Sequence, residues 1–281
     1  MKEESWDLVI NSKKTFLNVG LEKIFSNKDL LFLFVKRDFA TLYKQTILGP
    51  LWFFIQPFLT TIVFTVVFGN IAKISTDGIP QILFYMTGVV FWNFFTDCFI
   101  KTSDTFLINQ NLFGKVYFPR LIIPISVIIN NFFRFLIQLI LLSIVWIYFF
   151  FKAGNFMIIK EIIFLPFIVF FVVILGLGLG TLFSALTNKY RDLKFLLQFI
   201  VQLIMYASPV VYPLSIVSGK FKILILLNPM SNFIEFFKYS LFGVGYFNLN
   251  WILYSMLVST IIFLIGLIMF NRVEKSFIDT I

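Results

Sequence analysis

Along this chain apolar positions gather in long unbroken runs, and the polar residues are concentrated between them. Crossing hydrocarbon about 30 Å thick takes roughly 20 apolar residues as helix, because each residue advances the axis by about 1.5 Å. Six runs meet that requirement, at residues 52–72, 80–100, 121–151, 161–187, 195–212 and 251–270. The pattern predicts an all-α integral membrane protein with six transmembrane helices.

Two segments depart from this pattern. Over residues 28–47, Leu30, Leu31, Phe34, Val35, Phe39, Leu42 and Tyr43 recur at helical spacing, and Lys36, Arg37, Asp38 and Lys44 occupy other positions. This predicts an amphipathic helix lying in the inner interface plane. Residues 213–249 are rich in Phe, Leu and Ile, yet Pro213, Gly219, Asn228, Pro229, Gly243 and Gly245 interrupt them, and Lys220, Lys222, Glu235 and Lys238 are scattered through. Irregular backbone at membrane depth persists only where protein or a water-filled cavity covers it. One or two short re-entrant or interfacial helices on the outer side are expected, with a seventh full span as the alternative. Fifty residues of mixed polarity precede the first run, too many for a signal peptide, so the N-terminus is expected to be retained.

Composition agrees and narrows the function. With 59% hydrophobic and 13% charged residues among 281, the chain carries more apolar surface than one soluble core absorbs. There is no His and a single Cys, Cys98, which removes the usual general base and metal ligand and any disulfide framework. The net charge of +9 resolves into a topology signal. With the N-terminus inside, 16 Lys and Arg fall in inner segments and 6 in outer ones (Lys73, Lys152, Lys160, Lys220, Lys222 and Lys238), while Arg134 lies within a span. That bias assigns both termini to the cytoplasm and reads the surplus charge as contact with anionic headgroups. No basic soluble domain is present for a nucleic acid. The organisation is then a cytoplasmic N-terminus with the interface helix (1–50), a transmembrane domain (51–270) and a cytoplasmic tail (271–281).

No phosphate loop, dinucleotide turn, H-E-x-x-H or G-x-S-x-G motif occurs, so energy must come from a gradient or from another chain. Within the spans the charges are Asp97 and Arg134, which pair with each other or meet an anionic substrate. A glycan-modifying membrane transferase, the alternative from another class, would need an intramembrane cluster of His, Asp or Glu. A gradient-driven flippase would show internal repeats, and none is visible. Sugars present C–H faces that pack on aromatic rings, so Trp52, Phe53, Tyr85, Trp92, Tyr206, Tyr212 and Tyr239 are candidates to line a glycan path. Interfacial belt and packing roles compete for each of them. In the connection 101–120, Phe106, Leu107, Phe113, Tyr117 and Phe118 alternate with Asn109, Gln110, Asn111 and Lys115. This predicts a short amphipathic helix, bounded by Gly114 and Pro119, that offers exposed aromatics to the groove of a soluble partner.

Three motif groups then resemble the permease subunits of ABC transporters that export polysaccharides. The first is Lys36-Arg37-Asp38 followed by Tyr43-Lys44-Gln45-Thr46-Ile47-Leu48-Gly49-Pro50-Leu51-Trp52 and Gln56-Pro57. The second is Asn111-Leu112-Phe113-Gly114-Lys115-Val116-Tyr117-Phe118-Pro119-Arg120 with Pro124. The third runs through Tyr190-Arg191-Asp192-Leu193, Ser208-Pro209-Val210-Val211-Tyr212-Pro213 and Asn228-Pro229-Met230 with Ile234-Glu235. Each is weak alone, but together they follow the family's order from about residue 30 to 245.

The resemblance implies a type-2 ABC exporter built from two copies of this chain and two copies of a cytoplasmic ATPase. ATP and Mg would then sit on that partner, with no cofactor, metal or catalytic residue on this chain. It implies ATPase coupling through the interface helix and through Asn111, Phe113, Lys115, Tyr117, Phe118 and Arg120. It also implies a lipid-pyrophosphate entrance near Leu48 and Gly49, where Lys36, Arg37, Lys44 and Arg134 are placed to attract the head. Short helices after the fifth span would close the outer end. The cargo expected is a lipid-linked polysaccharide crossing the cytoplasmic (inner) membrane, O-antigen first, with teichoic acid or capsule behind it and a drug or small-lipid exporter as the rival. Gly114 departs from the family, standing where a bulkier or charged residue is expected, and residues 1–27 match nothing in it.

Overall fold

The long apolar runs fold as helices, and their lengths decide what each can do. The computed structural model describes residues 26–43, 47–113, 118–153, 160–187 and 190–278. Helix α1 is Lys28–Tyr43. A 3-10 turn, Gly49–Leu51, leads into α2 (Trp52–Phe64), which ends as a π-helical stretch, Thr65–Ile71. Next come α3 (Gln81–Ser103), the single-turn helices α4 (Thr105–Ile108) and α5 (Gln110–Phe113), and α6 (Ile122–Ala153). A second 3-10 turn, Lys160–Phe164, enters α7 (Leu165–Thr187), and α8 (Leu193–Ala207), α9 (Gly219–Leu226), α10 (Pro229–Phe242) and α11 (Leu249–Ile278) follow. Among the described residues, five helical stretches are long and apolar enough to cross a membrane: Gly49–Ile71, Gln81–Ser103, Ile122–Lys152, Lys160–Thr187 and Leu249–Val273. The ends of the bundle are called inner and outer here by the charge bias.

The fifth run differs from its expected form. Helix α8 has 15 residues, which is about 22 Å of axis and short of the hydrocarbon thickness. It stops at Ser208, whose extended backbone (φ −98°, ψ 160°) is the conformation that a following proline favours. Val210, Val211 and Tyr212 add apolar character to the sequence run but lie beyond that stop, and both valines are buried in the turn. The segment after α8 forms two short helices of 8 and 14 residues, neither long enough for a seventh span. Helix α10 is delimited by its own sequence: the Asn228 side chain accepts from the Met230 N–H, Pro229 takes the first turn, and Gly243 ends it at φ +72°.

Helix α3 is the hub, packing against α2, α6, α7, α8 and α10. Over Ile82–Trp92 it is apolar on nearly every side, as a helix enclosed by others must be, and its charges, Asp97 and Lys101, are confined to the inner turns. Of its most apolar window 78% is buried, against 11% for α6, whose outward face is left to lipid or to another chain. Helix α7 packs tightly against both α3 and α11 because it carries glycine at alternate positions. Gly176 and Gly180 lie against Cys98 and Thr102 of α3, and Gly178 lies against Phe263 of α11. A Cβ at Gly266 of α11 would collide with the Gly178 carbonyl, so these two backbones approach as small residues permit.

Candidate functional site

At the inner end, the segment between α3 and α6 is held inside the chain. Phe34 of α1 meets Phe118 at 5.6 Å, Phe118 stacks on Phe113 at 5.8 Å, and Phe113 meets Phe106 at 5.6 Å. Phe106 in turn stacks on Phe270 of α11 at 4.7 Å. The result is one aromatic column from α1 through the connection to α11. Arg120 caps it with its guanidinium 5.1 Å from the Phe113 ring centroid, and Arg37 lies 4.7 Å from the Phe34 ring centroid. Two polar ties fasten the same segment to the next inner connection: Thr187 Oγ1 donates to the Ser103 carbonyl at 2.8 Å, and Lys194 Nζ pairs with Asp104 Oδ2 at 2.8 Å.

This corrects the expectation of exposed aromatics. Phe106, Phe113, Phe118 and Arg120 are all buried, so among the described residues these four hold the connection 101–120 in place and do not offer a surface to a partner. Amphipathic spacing was satisfied within the chain, on α1 and α11. Lys44, Gly114, Lys115, Tyr117 and the Asn111 side chain lie outside the described residues, as do residues 1–25 and 279–281.

Beside the column is a cavity of about 250 Å³ between α1, α3 and α6, whose wall is mostly apolar with charged and amide side chains set into it. Val127, Asn130, Asn131 and Arg134 recur at i, i+3, i+4 and i+7 and place one stripe of α6 along it. Facing them, Asp97 and Lys101 are one turn apart on α3 and pair at 2.9 Å. Asp97 also forms an ion pair with Arg134 at 3.6 Å, so the pairing expected from sequence forms, but Lys101 shares the carboxylate. Lys101 Nζ further donates to Asn131 Oδ1 at 3.2 Å. Arg37 borders the cavity and is neutralised by Asp38 at 2.7 Å. Both side-chain amide atoms of Asn130 and Nε of Arg134 are buried without a hydrogen-bond partner, each an expense of roughly 1–3 kcal/mol if left so.

Lys36, Leu48 and Gly49, also expected at an entrance, do not line this cavity. Lys36 is exposed on α1. Leu48 is 36% exposed, and Gly49 adopts φ +48°, a left-handed backbone that an L side chain resists. Phe53 places its ring centroid 4.9 Å from the Arg134 guanidinium, which joins one aromatic of the expected glycan path to the basic cluster. The remaining aromatics separate. Tyr85 and Trp92 are sealed in the core of the chain, at 0% and 2% exposure, and neither faces a path. An all-apolar helix gives no sign in sequence of which face is enclosed. Trp52 and Tyr206 are exposed, Tyr212 donates its hydroxyl to the Ala207 carbonyl at 2.6 Å, and Tyr239 stacks on Phe247 at 5.1 Å.

At the outer end, α10 is buried along nearly its whole length and carries a fully enclosed cation. Lys238 donates from Nζ to the Pro209 carbonyl, lies 3.4 Å from the Phe84 ring centroid and stands 3.9 Å from Glu235 Oε1. Glu235 accepts the Tyr246 N–H at 3.2 Å. Burial pushes the Lys238 ammonium below the usual lysine range and the Glu235 carboxyl above the usual carboxylate range. Asn228 donates to Ser208 at 2.9 Å, and Ser215 donates to Asp77 at 2.7 Å, tying the turn after α8 to α10 and to the loop before α3. No group of three or more His, Cys, Asp or Glu side chains converges as a metal site among the described residues.

Comparison with known proteins places this architecture. The chain is similar to the O-antigen export system permease protein RfbA of Klebsiella pneumoniae, 26% identical over 252 residues, covering 89% of this chain and 94% of that protein. RfbA of Myxococcus xanthus is 26% identical over 213 residues, with 75% and 79% covered. The polysialic acid transport protein KpsM of Escherichia coli is 22% identical over 250 residues, with 87% and 93% covered. The family profile described as ABC-2 type transporter matches residues 29–242, from the interface helix through the buried outer helix, and the chain belongs to that family.

Proposed function

We propose that this chain is the permease subunit of an ATP-driven exporter of a lipid-linked polysaccharide, with O-antigen as the first cargo and teichoic acid or capsule behind it. The observation that carries this reading is likeness along nearly the full length of proteins named O-antigen export permeases, 94% of the Klebsiella protein being covered. A polysialic acid transport protein among the relatives keeps an acidic capsule as the second cargo.

ATP binding and hydrolysis belong to a separate cytoplasmic ATPase, two copies of it working with two copies of this chain in the cytoplasmic membrane. Closure of the ATPase dimer presses on the inner segment between α3 and α6. Because Phe106, Phe113 and Phe118 stack between Phe34 and Phe270, that pressure reaches α1 and α11 together. Differential packing of the column in two arrangements is what lets ATP select between them.

The test is reconstitution. This chain and a candidate ABC ATPase partner are placed in inverted vesicles with a fluorescent lipid-linked glycan. ATP-dependent protection of the glycan from an external glycosidase is expected, with Phe106→Ala abolishing it while ATP hydrolysis continues. Protection without the ATPase, or protection of a fluorescent drug but of no glycan, would overturn the reading.

A further inference from the structure

Helix α8 is held weakly along its length and firmly at both ends. Of its 15 residues only Leu197 and Val201 are buried, one turn apart on a single stripe. No Gly or Pro interrupts Leu193–Ala207, so nothing in its sequence favours a kink and the helix is a stiff rod. Helix α7 differs: Thr187 ties it to the inner connection, but Gly176 and Gly180 also seat it closely on α3, so it follows α3 as one body. No glycine seats α8 in that way.

The two ends of the rod are fastened by polar contacts. At the inner end Lys194, in the first turn, pairs with Asp104 at 2.8 Å. The Asp104 side chain is 7% exposed and its Oδ1 is buried without a hydrogen bond, so the carboxylate depends on this cation. Asp104 stands between α3 and α4, two residues before Phe106 of the aromatic column. At the outer end Ser208, Pro209 and Val210 follow α8 directly and are buried. Ser208 accepts from Asn228, which caps α10, and the Pro209 carbonyl accepts from Lys238 within α10. A stiff rod jointed at both ends moves as a unit, so a displacement at one joint appears at the other.

We propose that α8 is a strut joining the inner connection to the outer helix α10, with Lys194 and Asp104 as the positioning pair of its inner joint. An ion pair suits a joint that moves, because its attraction falls gradually with distance, whereas a close-packed contact weakens within a fraction of an ångström. In export, a role that rests on the reading above, pressure on the connection passes through Asp104 to α8 and on to Asn228 and Lys238. The joint itself is a property of the chain alone. The strut runs lengthwise, while the aromatic column links α1 and α11 across the inner end.

The test is amide hydrogen exchange, read by mass spectrometry on the purified full chain in detergent. Lys194→Met keeps the stem and removes the charge, and it should raise exchange about tenfold both at residues 194–198 and, at the far end of the rod, at 208–217. Lys194→Arg should keep the unaltered rates. Asn228→Ala, at the outer joint, should in turn raise exchange at 194–198, because coupling between two sites acts in both directions. Exchange that rises only beside the substituted residue, or a Lys194→Arg chain as open as Lys194→Met, overturns the strut. Should Lys194→Met fail to fold by size exclusion, Asn228→Ala decides alone. In the reconstitution described above, Lys194→Met should lower glycan protection per ATP hydrolysed about tenfold, and full protection overturns the part of the strut in export. The exchange measurements involve neither ATPase nor glycan, so they decide the strut even where the export reading fails.

Discussion

Lys238 at the outer end and Arg134 at the inner end are both buried cations, and they are treated in opposite ways. Lys238 is enclosed at 1% exposure by a carbonyl, a carboxylate and an aromatic face, all from its own chain. Arg134 shares its one carboxylate with Lys101, keeps an unpartnered Nε and borders a cavity. The outer cation is matched one to one by a carboxylate of its own helix, although Glu235 Oε1 keeps no hydrogen bond, whereas at the inner end two cations share one carboxylate. The outer end is thus organised around one enclosed ion pair, and the inner end around a cluster with more cations than carboxylates.

Four measurements press on that contrast, in order of expected size. Lys238→Ala leaves Glu235 buried without its cation and should destabilise the chain by about 3–5 kcal/mol, read as loss of the folded form in thermal unfolding in detergent. Pairing Glu235→Gln with Lys238→Met should recover most of it, and a silent Lys238→Ala would break the contrast. Gly266→Val wedges α11 away from α7 and should cost about 1–3 kcal/mol, with both ends loosening together by hydrogen exchange, since these helices connect them. Tyr212→Phe removes one hydroxyl hydrogen bond from the outer turn and should cost about 0.5–1.5 kcal/mol. Asp97→Asn, at a side chain 37% exposed, should cost under about 1 kcal/mol in thermal unfolding, because the pair it removes from Lys101 and Arg134 is screened by solvent. A large destabilisation there would mean that the inner cluster is structural like the outer one.

Much of the architecture is readable from residue order, for definite reasons. Long apolar runs have few folded solutions in a bilayer, and the Pro and Gly interruptions after Tyr212 forbid another long helix. The boundary of α8 was also written in Ser208-Pro209, but the apolar residues beyond it extend the run and mask the stop. Periodicity shows that the segment around Phe113 has an apolar face. It does not show what covers that face, and Phe34 and Phe270, far off in sequence, do so. Tyr85 and Trp92 look like any other aromatics of an all-apolar helix until the neighbours are known. The stripe Val127, Asn130, Asn131 and Arg134 was visible as helical spacing, yet two asparagines in an apolar span do not announce themselves beside an arginine. Their meaning comes from Lys101 and Asp97 opposite.

The shortness of α8 has a consequence for the surrounding lipid. Its exposed Phe195, Phe199 and Leu203 form an apolar face only about 22 Å tall, beside helices that cross with length to spare. Wherever acyl chains cover this face they must shorten or tilt to match it, which would pinch the bilayer on that flank. Activity should therefore respond to acyl-chain length, rising in thin bilayers and falling in thick ones, in a way that α6 and α11 alone would not impose.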